Sequence, residues 1–329
     1  MQNESSQQIA QDIKEHSLKW QGLKNEIKKA IVGQNDIIDR IFIGLLCNGH
    51  ILLEGVPGLA KTTLIKATSQ AIGLEFKRIQ FTPDLLPADL IGTLVYNPKT
   101  HEFQTKKGPI FANLILADEI NRAPAKVQSA LLQAMQEHQV TIGENTFNLE
   151  EPFLVLATQN PIEQEGTYRL PEAQVDRFMF KLIVTYPKYS EEKDIITKVF
   201  QPQQIYKVIE KEEISTGQKL INEIYIDDKV IEYILNIVFA TRFPQENEEL
   251  IDIKNFIEYG ASPRATLALN HAAKAHAFLK KRHFVIPDDV KAVAPDVLRH
   301  RILLTYQAEA ENITTDQIIQ KILRTLPSP

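Results

Sequence analysis

The chain has 329 residues, enough for two domains that each bury a core, and its 43% apolar and 24% charged side chains exclude a disordered or collagen-like chain. Thirty-seven basic against forty-two acidic residues leave a net charge of −5, which excludes the overall basic surface of a protein coated by nucleic acid but leaves local basic patches open. A lone cysteine, Cys47, excludes an intramolecular disulfide and a cysteine-rich zinc site.

The first residues, MQNESSQQIAQDIKEH, are polar where a signal peptide is apolar, and no apolar run approaches the roughly 20 residues that span a bilayer. A cytoplasmic protein without a transmembrane segment is expected. Ile9, Ile13, Leu18, Leu23, Ile27 and Ile31 recur every four or five positions and predict a leading helix. Asn35 is placed to cap a second helix that runs through Leu46 to Gly49. Short apolar runs then follow at 51–53, 79–81, 114–116, 153–157 and 182–184, with helical patterns at 63–71 and 126–137 between them. Buried strands alternating with helices predict an α/β fold on a parallel sheet. Beyond Tyr186-Pro187 no strand run returns, and amphipathic patterns at 191–200, 229–241, 263–281 and 287–301 predict an all-helical second domain. The expected partition is a helical segment 1–30, an α/β domain 31–187 and a helical domain 188–329, with a local break at Gln201-Pro202. No internal repeat or low-complexity stretch is present.

Gly55-Val56-Pro57-Gly58-Leu59-Ala60-Lys61-Thr62-Thr63 follows the run 51–53 and opens a helical pattern, the strand, loop and helix setting of a P-loop. Its glycines let backbone N–H groups turn toward a phosphate while the next helix presents its positive end. Lys61 is placed to reach the β and γ phosphates of ATP, and the Thr62 hydroxyl to ligate Mg²⁺. Ala60 stands where the general pattern has glycine, and a positive φ there costs an alanine about 1–2 kcal/mol. Without a nucleotide, the segment reads as a glycine-rich turn before an amphipathic helix. Leu114-Ile115-Leu116-Ala117 ends in Asp118-Glu119, and acids at the carboxyl end of a buried strand face the ligand crevice of such sheets. Asp118 suits the metal and Glu119 the attacking water, although an isolated pair reads as a solvated turn. A third strand, 153–157, ends in amides; Asn160 is a candidate to orient the water or a turn former.

These motifs, with Val32-Gly33-Gln34, Asn121-Arg122-Ala123-Pro124, Thr158-Gln159-Asn160-Pro161, Leu170-Pro171-Glu172-Ala173-Gln174-Val175-Asp176-Arg177-Phe178, Ala261-Ser262-Pro263-Arg264 and Pro295-Asp296-Val297-Leu298-Arg299-His300-Arg301-Ile302, resemble the ordered series of MoxR-type AAA+ ATPases over roughly residues 31–326. Ala60 is usual in that family. The resemblance implies that Val32, Gly33 and Gln34 lie near the adenine and that Asn160 is the sensor-1 residue. It also implies that Arg177 is an arginine finger acting on a neighbouring subunit, and that Arg264 is the sensor-2 arginine on a helical lid. The stretch 81–92 resembles the helix-two insertion of this clade, and a client-gripping loop and a loop packed on its own sheet are both open readings. The alternation around Gly143-Glu144-Asn145 predicts a hairpin at 140–149.

The expected function is a ring-forming, Mg²⁺-dependent ATPase, a homo-oligomer and by expectation a hexamer, that remodels or matures client proteins. The family resemblance adds metal-containing enzymes or complexes as clients, and a partner with a von Willebrand factor A domain. The alternative is a nucleic-acid motor or loader: the stretch 81–92 has no basic residue and carries Asp84 and Asp89, whereas 99–107 is basic. A small-molecule kinase gives the helical lid and motif arginines no role. His271 and His276, five apart, miss the four-residue spacing of a zinc pair, and His300 reads as a lid-docking residue. Arg122 is open between the acidic pair and a subunit interface.

Overall fold

Five short segments, four of them mainly apolar and each too brief to hold its shape alone in water, pair as one parallel sheet in the computed structural model, which describes residues 2–56, 58–160, 168–199 and 204–329. They are Ile51–Glu54 (β1), Phe76–Gln80 (β2), Leu114–Asp118 (β3), Leu154–Gln159 (β4) and Phe180–Ile183 (β5), in the order β2-β3-β4-β1-β5. The register sets Gln80 beside Asp118, Ala117 beside Ala157 and Leu53 beside Thr158, so the polar strand ends meet along one edge. Pro161 and the Gln201-Pro202 break lie outside the described residues.

The sheet is covered by the helices Lys61–Ile72 and Ala125–Glu137. The second lays Val127, Leu131, Leu132 and Met135 into a core with Ile115, Val155, Phe153 and Phe178. His50 is buried in this unit: its Nε2–H donates to the Met135 carbonyl (3.0 Å) and its Nδ1 accepts the Val155 N–H (3.1 Å). Phe81 and Leu90 are fully buried in the same core and anchor the 81–92 stretch near its two ends, while Leu86 between them is 60% exposed. Exposed apolar residues continue into the ribbon that follows, Gly92–Asn97 paired antiparallel with Glu102–Lys107, which bares Leu94, Val95, Tyr96 and Phe103. The expected hairpin forms from Gln139–Ile142 and Asn145–Asn148, and Gly143 lies against the Leu94 side chain of the ribbon.

Two compact units divide the chain: residues 22–178 with 182–214, and residues 1–21 and 179–181 with 215–329. Segment 204–214, expected with the helical domain, is therefore held by the sheet unit. Val208 N donates to Ala71 O (2.7 Å), Tyr206 N to Glu26 Oε1 (3.0 Å) and Lys211 Nζ to Glu150 Oε1 (2.7 Å).

The other unit is built on the helices Asp228–Arg242, Pro263–Leu279, Pro287–Leu298 and Thr315–Thr325, with Asp227, Ser262 and Thr314 as N-caps. The third helix ends three residues before the expected 301, where Arg299 turns to donate to Asp296 (2.7 Å) and to the Lys181 carbonyl (2.5 Å). One strand expectation needs correcting. Ile257–Tyr259 pairs antiparallel with Leu303–Leu304, a ladder too short to leave an alternating pattern in the sequence. Asp289, 1% exposed, fastens two helices: it accepts from His276 Nδ1 (2.6 Å), Arg282 Nη1 (2.7 Å), Arg282 Nη2 (2.5 Å) and the Ile286 N–H (2.9 Å). Burial pushes its carboxyl up, but the bonds from His276, Arg282 and Ile286 outweigh this and hold it below the usual range.

Burial pushes the His50 imidazole down to about 4. An unfolded histidine takes its proton near 6.5, so the unfolded state binds more protons across that interval. Stability should fall as pH drops through it, by up to about 3 kcal/mol. Denaturant unfolding should lose stability more steeply toward acid in the natural protein than in His50→Asn, which has no proton to gain; equal slopes would refute the assignment. Asp289→Ala leaves the Arg282 guanidinium and His276 without their shared acceptor and should cost about 2–3 kcal/mol, discounted because Arg282 keeps contact with water. A urea midpoint unchanged by that substitution would contradict the fastening role.

Candidate nucleotide site

The P-loop begins where β1 ends. Gly55 passes so close to the strand-end backbone that a Cβ there would stand 2.5 Å from the Val184 carbonyl oxygen, a clash that only glycine avoids. Gly58 has φ 86° and Ala60 φ 55°, both left-handed, so alanine bears the strain anticipated for that position. The helix Lys61–Ile72 then starts with no side-chain cap and no acidic residue in its first turn. Its leading N–H groups and positive end are thereby left to an anion. Lys61 Nζ donates to the Gly55 carbonyl (2.8 Å), folding the side chain back over the loop. Burial pushes its ammonium below the usual lysine range, opposed by the nearby charges of Asp118 and Glu119.

Across the cleft, Thr158 organises the acids. Its hydroxyl donates to Asp118 Oδ1 (2.6 Å) and accepts the Glu119 N–H (2.8 Å). Asp118 Oδ2 accepts from Arg78 Nε (3.0 Å) and Nη2 (2.6 Å). Glu119 sits at φ 57°, a left-handed conformation that aims its side chain away from the strand direction. Its Oε2 accepts from Gln80 Nε2 (2.9 Å) and Arg122 Nη1 (3.0 Å). Arg122, left open by the sequence, thus pairs with Glu119 of its own chain.

A cleft of about 370 Å³ is lined by Gly55, Gly58, Leu59, Ala60, Lys61, Thr62 and Thr63 on one side and by Arg78, Asp118, Glu119, Thr158, Gln159 and Asn160 on the other. It brings together the P-loop, the acidic pair and Asn160 as the sequence anticipates. Gln34 reaches the P-loop by donating from Nε2 to the Leu59 carbonyl (2.9 Å), and its Oε1 is buried without a protein partner. Gly33 (φ 71°) and Val32 precede it, outside the cleft lining. Pro57 lies outside the described residues. Arg177 does not line the cleft; its Nη1 is 3.5 Å from the Leu132 carbonyl. Arg264 belongs to the helical unit, exposed in the first turn of Pro263–Leu279, with its N–H accepted by Ser262 Oγ (3.2 Å).

Arg78, Gln80 and Thr158 carry no chemistry in the sequence that marks them as site residues. Arg78 and Gln80 alternate on β2 and so share a face, a period-2 signal that the intervening Ile79 obscures in so short a strand. The donor set suits Mg²⁺. Thr62 and Asp118 offer one hydroxyl and one carboxylate, and no group of three or more His, Cys, Asp or Glu able to hold a metal occurs among the described residues. An ion with so few protein oxygens keeps waters and takes the rest of its shell from phosphates, as Mg²⁺ does. No helix among the described residues is long and apolar enough to cross a membrane.

Residues 50–180 match the ATPase family associated with various cellular activities (AAA), and residues 251–322 the AAA lid domain. Over 305 residues the chain is 48% identical to Chaperone MoxR1 of Mycobacterium tuberculosis, covering 92% of this chain and 81% of that one. It is 45% identical over 306 residues to the uncharacterized protein YeaC of Bacillus subtilis, covering 92% of each. It is 30% identical over 328 residues to Protein MoxR of Methylorubrum extorquens, covering 93% and 94%. The crystal structure of a presumptive ATPase from Cytophaga hutchinsonii matches with a TM-score of 0.92 at 50% identity, over 100% of this chain and 99% of that chain. A P-loop opposite an acidic strand end, an attached helical lid and these similarities lead to one assignment: the chain belongs to the MoxR family of AAA+ ATPases.

Proposed function

We propose that the protein hydrolyses ATP in a ring of identical subunits, by expectation a hexamer, and uses the cycle to remodel client proteins. The observation that carries this reading is the single cleft in which an uncapped helix start and Lys61 face Asp118, Glu119 and Asn160. The loop N–H groups and Lys61 bind the phosphates, and Thr62 with Asp118 would hold Mg²⁺, which when bound neutralises phosphate charge. Asn160 positions the attacking water and Glu119 takes its proton, once that carboxylate has left the Gln80 and Arg122 donors. Val32, Gly33 and Gln34 would contact the base; the buried, unpartnered Gln34 Oε1 suits an amino donor.

Arg177 is absent from its own chain's cleft lining, which supports a role on the adjoining subunit, with Arg264 supplied by the lid. The ribbon Gly92–Lys107 supports a protein client over a nucleic acid. Its bared apolar residues are Leu94, Val95, Tyr96 and Phe103; of its exposed lysines, Lys99, Lys106 and Lys107, the last lies over the Phe111 and Phe147 rings (4.6 and 5.4 Å). The chaperone name carried by the Mycobacterium tuberculosis relative points the same way. Maturation of metal-containing clients and a partner with a von Willebrand factor A domain extend the proposal, on family resemblance.

Glu119→Gln should keep nucleotide binding, lose hydrolysis by about 10²–10⁴ and elute as a larger species in ATP than without it. An unchanged elution volume counts against the ring. Arg177→Ala should bind nucleotide normally and hydrolyse about 10³-fold or more slowly. Mixing these two inactive proteins should restore turnover, because a Glu119-bearing site can then meet a neighbour's Arg177; mixtures that stay dead, or a fully active Arg177→Ala protein, would overturn the shared site.

A further inference from the structure

Asp118 has two carboxylate oxygens, and their surroundings differ. Oδ1 is bound by the Thr158 hydroxyl, a group only 3% exposed whose other bond, from the Glu119 N–H, fixes its orientation. Oδ2 is the oxygen engaged by the Arg78 guanidinium, through two donors, with the Arg78 side chain 49% exposed and that of Asp118 20% exposed. Arg78 Nη2 also donates to Gln80 Oε1 (3.0 Å), which holds the guanidinium in place, and Arg78 itself lines the cleft beside Lys61 and Thr62.

A hard divalent cation and a guanidinium seek the same carboxylate lone pairs. We propose that Arg78 is a positioning residue that stands in for the metal: it neutralises Asp118 at Oδ2 while the cleft is free of ion, and gives up that oxygen when Mg²⁺ arrives with a nucleotide. Without the ion the guanidinium remains in the cleft beside Lys61 and Thr62, where its charge offsets that of Asp118 against incoming phosphates. Two consequences follow from the one exchange. Arg78 weakens metal binding by competing for Asp118, and it strengthens metal-free nucleotide binding by supplying positive charge that the ion would otherwise bring. The inference rests on the nucleotide reading above.

The test is the ratio of ADP dissociation constants measured by calorimetry in EDTA and in Mg²⁺, on the full chain, for the natural protein, Arg78→Met and Arg78→Lys. ADP removes hydrolysis from the measurement, and a ratio taken within one protein is unaffected by any fraction that fails to fold. Loss of a half-exposed ion pair should raise the ratio about fivefold in Arg78→Met, with tighter binding in Mg²⁺ and weaker binding in EDTA. Arg78→Lys, which keeps the charge but not the fork, should fall between. An unchanged or lowered ratio in Arg78→Met overturns the exchange. Failure of the natural protein to bind ADP under either condition instead overturns the nucleotide reading, and the exchange with it.

Discussion

Parallel pairing of Leu114–Asp118 with Leu154–Gln159 sets Asp118 beside Thr158, and the polar contacts of the cleft hang from that register. Ile115, Leu116, Val155 and Leu156 are buried on both faces of the sheet, so no contrast of wet and dry faces sets the alignment; the polar strand ends do, where Thr158 bonds Asp118 and the Glu119 N–H. The Thr158 hydroxyl, with one hydrogen to give and lone pairs to receive, joins Asp118 to the backbone of Glu119 and fixes two adjacent acids relative to each other. Parallel pairing with Phe76–Gln80 adds Arg78 and Gln80 from the far side, so three strands supply one network.

The same edge collects backbone strain. Gln34, Ala60 and Glu119 all have positive φ without being glycine. Such conformations cost of order 1–3 kcal/mol each and persist only where the surroundings determine them. Here the surroundings are visible: Gln34 is tied to Leu59, Ala60 lies between the loop and a helix start, and Glu119 is held at its N–H and its carboxylate. The stability that tolerates these positions comes from elsewhere, from the apolar core beneath the sheet and, in the helical unit, from fastenings such as the Asp289 cluster.

The parts of this architecture that show in the sequence are those with local grammar. Gly55 to Thr63 carries its own turn and helix-start chemistry, and Asp118-Glu119 ends an unbroken apolar run, so the P-loop and acidic edge could be read without a partner strand. Strand order could not, because nothing in a run such as Ile51-Leu52-Leu53 says which neighbour it will choose. Arg78 was illegible for the same reason: its meaning depends on Asp118, forty positions away, being its neighbour across a strand pair. The ribbon Gly92–Lys107 escaped because it covers no core and so has no buried face to alternate. Segment 204–214 carries no local mark of the unit it joins, because buried Ile209 and Ile214 and the bonds of Val208 to Ala71 and Lys211 to Glu150 all depend on residues distant in the sequence.

That ribbon is joined to the rest of its unit at two glycines that cross backbone to backbone: a Cβ on Gly92 would meet the Lys106 carbonyl oxygen at 2.3 Å, and one on Gly108 the Leu90 carbonyl oxygen at 2.2 Å. None of the bonds that shape the cleft passes through the twelve residues of its strands. Its outer end can accordingly vary in sequence and length without disturbing the bonds that shape the cleft, so the two features can diverge on separate clocks.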